Sequence, residues 1–143
     1  MTRTLRNFSL LLAILALPVH AGEPGERSLY DRLGGHPVIT AVVEETVTNM
    51  SSNPRVNQSF DKVDLKRLKK MVVEQFCALA GGPCVYSGDD MKIVHAGLNI
   101  TESEFFAQVE TLRAALDHNG VRTREKNELL RLLAPMKRDV VTK

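Results

Sequence analysis

The stretch Met91-Lys92-Ile93-Val94-His95-Ala96-Gly97-Leu98-Asn99-Ile100-Thr101 decides how the rest of the chain is read. Met91, Val94, His95 and Leu98 fall at helical spacing, which predicts His95 on an apolar stripe turned toward the core. A buried imidazole needs a hydrogen bond or a use for its lone pair, because burying an unpaired polar group is costly. Gly97 and Asn99 end this short helix, and Thr101 with Glu104 restarts the chain as a capping box. By spacing alone, a packed core histidine is the ordinary reading of such a residue, and a ligand is the alternative.

The surroundings of His95 favour the ligand. Gly81-Gly82-Pro83, Tyr86-Ser87-Gly88, Met91, His95-Ala96-Gly97 and Ile100-Thr101 occur in an order and spacing that resemble the haem-binding segment of the group 1 truncated haemoglobins. The resemblance extends through Leu29-Tyr30-Asp31, Leu33-Gly34-Gly35, Phe60 and Ala134-Pro135, and so covers roughly residues 28 to 141. It implies an all-α, two-over-two helical sandwich around haem b. His95 matches the proximal iron ligand, Met91 belongs to the same haem-facing segment, and Phe60 matches a phenylalanine that packs flat on the haem.

At 143 residues the chain has room for one domain with one sizeable core. Residues 1–21 read as a secretory signal peptide: Arg3 and Arg6 charge its start, Phe8 to Val19 form the apolar run, and Val19-His20-Ala21 resembles a cleavage site. The run is short for a permanent span, and an uncleaved anchor is the alternative. The mature protein is then periplasmic or secreted, with no stable membrane insertion. Residues 22–27 form a polar linker. Removing Arg3 and Arg6 leaves 17 basic residues against 17 acidic ones, a balance that gives no pull toward nucleic acid.

Along the mature chain every element reads as helix. Ser28 caps a short first helix that Gly34-Gly35 stops, and Pro37 suits the first turn of a second running to about Met50. The inward stripe of that second helix is Ile39, Val42 or Val43, Val47 and Met50. Asn53-Pro54 turns the chain. Asp64 caps a third helix from Leu65 to Ala80, with Leu65, Leu68, Val72, Phe76 and Leu79 predicted to face inward. Lys66, Arg67, Lys69 and Lys70 read as its solvated face, or as cations for the haem propionates. A helix from Thr101 to Asn119, closed by Gly120, presents Phe105, Val109, Leu112 and Leu116. A last helix from Thr123 carries Leu129, Leu133, Met136 and Val140, with a kink expected at Pro135.

The two cysteines, Cys77 and Cys84, suit a disulfide in an oxidising compartment. Two reduced thiols packed as small hydrophobes are the alternative. No Cys-x-x-Cys-His occurs, which argues against c-type attachment, and the resemblance implies a non-covalent haem b.

On the distal side the chain departs from its relatives. Many group 1 members place a tyrosine on the second helix to hydrogen-bond dioxygen, and the aligned residue here is Val47. A glutamine commonly assists from the third helix, and the aligned residue is Val72. Leu68 lies one turn earlier, where apolar residues are common. Losing a donor to a partly charged ligand costs about 1.5–3 kcal/mol, so dioxygen is expected to bind weakly and with little preference over carbon monoxide or nitric oxide. Thr46 and Gln75 are the candidate substitute donors, and Met71, which reads first as a gap-filling or partly exposed methionine, sits where some relatives supply a sixth iron ligand. His36 and His118 read as surface or capping residues.

The leading expectation is an exported haem protein that reversibly binds a diatomic gas for transport, scavenging or sensing, with an electron-transfer partner if the iron cycles. A haem-dependent nitric oxide dioxygenase or peroxidase-like enzyme and a haem-free helical interaction module are the alternatives.

Overall fold

The computed structural model describes residues 27–143, so the signal-peptide and most of the linker assignment lie outside the described residues. Helix α1 is Leu29–Leu33, α2 Gly35–Ser52, α3 Leu65–Leu79, α4 Met91–Val94, α5 Glu102–His118, α6 Thr123–Leu133 and α7 Lys137–Val140, with 3-10 turns at Asn57–Phe60 and Ala134–Met136. The described residues contain no strand. Helices α2 and α3 form one layer and α5 and α6 the other, with α2 packed across on α5 and α3 on α6. This is the expected two-over-two sandwich.

The punctuation follows local chemistry. Ser28 Oγ accepts from the Asp31 amide, Asp64 from that of Arg67, and Thr101 and Glu104 complete the predicted capping box. Gly34 sits at φ +103°, where a Cβ would fall 2.5 Å from Val38 Cγ2, so the α1–α2 corner requires glycine. Helix α2 starts at Gly35 rather than Pro37, because the left-handed Gly34 already reverses the chain. At Pro135 the last helix passes into a 3-10 turn before α7 resumes, since proline offers no amide to the helical ladder.

Ile39, Val42, Val43 and Val47 of α2 meet Val73, Phe76 and Cys77 of α3, Leu112, Ala115 and Leu116 of α5, and Leu129 of α6 in the core. Each fully buried aliphatic side chain contributes about 1.5–3 kcal/mol. The expected α3 stripe holds in part: Phe76 is in the core, and Leu65, Leu68 and Val72 pack against its edge. Leu65, Leu68, Val72 and Leu79 are only half-buried, while Val73, Phe76, Cys77 and Ala80 are buried. The apolar arc is wide enough to serve two surfaces, and the core takes the half containing Val73 and Cys77. Likewise Met50, Phe105 and Val109 stay half-buried.

A buried ionic cluster ties α1 to α6. Glu125, 1% exposed, takes Arg32 Nη1 at 3.2 Å and Arg122 Nη2 at 3.0 Å, while Arg32 Nη2 also meets Glu128 at 2.8 Å. Burial pushes the Glu125 carboxyl up, but its hydrogen bonds and the two guanidiniums outweigh that and hold it below the usual range. Nearby, Lys126 is buried against Asp117.

Candidate functional site

The segment that carries His95 hangs between two better-anchored elements. Glu74 Oε2 on α3 accepts from both the amide and the hydroxyl of Ser87, at 3.1 and 2.7 Å, which steadies the loop leading into α4. The Sγ atoms of Cys77 and Cys84 lie 1.96 Å apart, within bonding distance, at the root of the same loop. Gly82 there has no room for a side chain, because a Cβ would lie 2.5 Å from Tyr30 and 2.7 Å from Cys77 Sγ. Asp90 caps α4 through the Lys92 amide, and the C-terminus returns to pin Ile100 as Thr142 N donates to its carbonyl at 3.0 Å.

His95 follows the last residue of α4, and its Nδ1 lies 2.7 Å from the Met91 carbonyl oxygen. A carbonyl only accepts, so Nδ1 carries a proton, and the neutral form of the ring has its lone pair on Nε2. The expectation that His95 faces the core is corrected. Ile93, Val94 and Leu98 are 66%, 43% and 41% exposed, and His95 and Met91 are half-buried. The apolar stripe faces outward, because the four-residue helix following the Gly81–Asp90 loop has no buried side chain of its own. Gly97 and Asn99, both at positive φ, then turn the chain toward α5.

The other sequence-selected residues lie on α2, on α3 and in the 3-10 turn between them. Val47 is buried on α2, Leu68 and Val72 lie half-buried along the flank of α3, and Phe60 ends the 3-10 turn half-buried. A groove of about 510 Å³ opens beside Phe60 and Leu65. Neither substitute donor is free. Thr46 Oγ1 donates to Val42 O at 2.7 Å, and Gln75 Nε2 lies 3.4 Å from Met91 Sδ, on the His95 side. Met71 Sδ lies 3.8 Å from Ser87 Oγ, whose one proton goes to the nearer Glu74 Oε2. Of the basic run, Lys69 is bound to Glu44 at 2.5 Å and Lys70 lies 3.8 Å from Glu74, while Lys66 and Arg67 are exposed and form no ion pair among the described residues. His36 and His118 are surface residues, and His118 Nδ1 meets Glu45 Oε2 at 2.8 Å. That contact raises the His118 imidazole above its usual value, and the same partner, with Asn119, lowers Glu45.

These residues fit a haem. The imidazole of His95 stands on the same segment as the exposed Ile93, Val94 and Leu98, a combination that suits a metal at the centre of a large apolar ring. Its other nitrogen is held by a carbonyl, the arrangement that fixes the tautomer and strengthens the ligand. Lys66 and Arg67 are cations without a protein carboxylate, suited to propionates.

A helical sandwich with a carbonyl-oriented histidine on a segment of exposed apolar side chains is the pattern of a globin-type haem protein. Residues 28–142 match the family described as bacterial-like globin, and the chain belongs to that family. It is 36% identical over 115 residues to a group 1 truncated haemoglobin of Mycolicibacterium paratuberculosis, covering 80% of this chain and 85% of that one. The truncated haemoglobin of Tetrahymena pyriformis, solved in its Fe(III) form, superposes with a TM-score of 0.77 at 28% identity, over 82% of this chain and all of that one. A 2/2 haemoglobin from Synechococcus sp. PCC 7002, solved with covalently attached haem, shares the fold at a TM-score of 0.75 and 24% identity, covering 82% of this chain and all of that one. The chain is thus a haem-binding globin that takes diatomic gases, and neither alternative function is favoured.

Proposed function

We propose that the chain holds one non-covalent haem b through His95 Nε2 and binds a diatomic gas on the opposite face. When bound, the iron supplies the reversible bond to the gas, and the protein's part is to hold, orient and select. The observation that carries this reading is the 2.7 Å contact between His95 Nδ1 and Met91 O, which commits Nδ1 as donor and leaves Nε2 for a metal. Phe60, Leu68, Val72, Val47 and Met91 are the apolar walls. Both cysteines engage each other, which leaves no thiol for covalent attachment.

Val47, Val72 and Leu68 offer no hydrogen bond to a ligand, and the Thr46 hydroxyl is taken by Val42. The pocket therefore holds dioxygen weakly and discriminates little against carbon monoxide and nitric oxide. Met71, half-buried beside Ser87, fills space there rather than binding iron. The basic residues Lys66 and Arg67 neutralise the propionates. Residues 1–21 export the protein to the periplasm or beyond, where Cys77 and Cys84 form a disulfide, and an electron donor returns the iron to the ferrous state.

The test is a haem titration of the protein from residue 22 onward. One equivalent is expected to give a saturated Soret band, and His95→Ala is expected to bind at least about a hundredfold more weakly, since even supporting partners of a ligand are worth ten- to a hundredfold. No stoichiometric uptake by the wild type contradicts the proposal.

A further inference from the structure

The side-chain nitrogen of Gln75 lies 3.4 Å from Met91 Sδ and 3.9 Å from Met136 Sδ. A thioether accepts hydrogen bonds and donates none, so the amide must turn its NH2 toward both sulfurs. Gln75 is on α3, Met91 opens α4, and Met136 ends the 3-10 turn before α7. One amide therefore joins three elements at the residue whose carbonyl receives the His95 Nδ1 proton.

The consequence comes from how little else holds α4. A single turn of helix has no stability of its own, because nucleation fixes several residues for one hydrogen bond. Four residues long and without a buried side chain, α4 keeps its place through the loop that Glu74 and the cysteine pair anchor before it, the Asp90 cap, its packing on α7 and this amide. The Met91 carbonyl sets the plane of the imidazole, so whatever fixes Met91 also fixes the direction of Nε2. We propose that Gln75 is a positioning residue for His95, acting by donation to the two thioethers rather than by filling space. This rests on the reading of His95 as the axial haem ligand.

Two variants separate donation from packing. Gln75→Glu keeps the shape, but an ionised carboxylate offers the sulfurs only lone pairs. Gln75→Leu keeps much of the volume and removes all polarity. Both are expected to shift the iron–histidine stretching band of the ferrous five-coordinate form. Both should also speed haem transfer to excess apomyoglobin by about three- to tenfold, below the effect of a partner bonded directly to the ligand. In the haem-free protein, amide exchange at His95, whose N–H bonds to Met91 O, should quicken in both. Met136→Leu, which removes only the 3.9 Å contact, should change each readout less.

The proposal is overturned if both Gln75 variants keep the wild-type band and a transfer rate within about twofold. It is also overturned if Gln75→Glu at neutral pH behaves as wild type while Gln75→Leu does not, because shape would then be what counts. A wild type that takes up no haem defeats the reading of His95 instead, so the two failures are distinct.

Discussion

The His95 segment and the α2–α3 layer are built in opposite ways. Around His95 the backbone is a single helical turn between loops, its polar groups engaged and its apolar side chains, Ile93, Val94 and Leu98, exposed. On α2 and α3 long helices present Val47, Leu68 and Val72, and the polar groups among them, Thr46 and Lys69, are tied to Val42 and Glu44. The first has a ligand and little intrinsic rigidity. The second has rigidity and nothing to donate. Retention of the cofactor and choice of gas should therefore be separable by mutation.

The sharpest way to break that contrast is to give the α3 flank a donor. Val72→Gln, at a half-buried position that tolerates an amide, is expected to slow dioxygen release about ten- to a hundredfold, the equivalent of one hydrogen bond to a partly charged ligand. Stopped-flow release rates for dioxygen and carbon monoxide check this, and the carbon monoxide rate should hardly change. Equal slowing of both would mean a closed exit rather than a new bond.

A smaller effect is expected from the brace under the His95 loop. Closing so short a loop is worth about 2–3 kcal/mol by chain entropy. Reduction with dithiothreitol, or Cys84→Ser, should lower stability by about 2 kcal/mol in urea titrations and leave the ratio of gas affinities unchanged. A change in that ratio would couple the two sides and blur the comparison.

The smallest effects concern protons. Glu125 is held below its usual range in the fold, so its contribution is fully present above the unfolded value of about 4.3 and lost as pH falls through its depressed value. Glu125→Gln should flatten the fall in thermal stability between about pH 5 and pH 3. His118 runs the other way. Raised by Glu45, it adds stability that is fully present below about pH 6.5 and fades as pH rises through the raised value. The gap in melting temperature between wild type and His118→Gln should therefore shrink from about pH 6 to pH 9, a modest change for an exposed pair.

Much of this was legible in the chain. The caps at Ser28, Asp64 and Thr101, the stops at Gly34 and Gly120 and the break at Pro135 are local chemistry, and each occurs as read. The phase of α3 was not, because periodicity locates an apolar arc without saying which half meets the core and which its edge. The burial of Glu125 was hidden for a different reason: its partner Arg32 lies 93 residues away, and a charged residue read alone points to solvent. The role of Gln75 escaped for the same cause, since its partners Met91 and Met136 come together only in the fold. For His95, the sequence located the residue, while the tautomer that commits Nε2 required the position of the Met91 carbonyl.

The most direct test of the account is rescue of His95→Gly by free imidazole. Haem added to this variant should give a weak, shifted Soret band, and millimolar imidazole should restore the wild-type ferrous spectrum by occupying the space the side chain left. A variant whose spectrum matches the wild type without imidazole would contradict the assignment of His95 as the axial ligand, and with it the central claim.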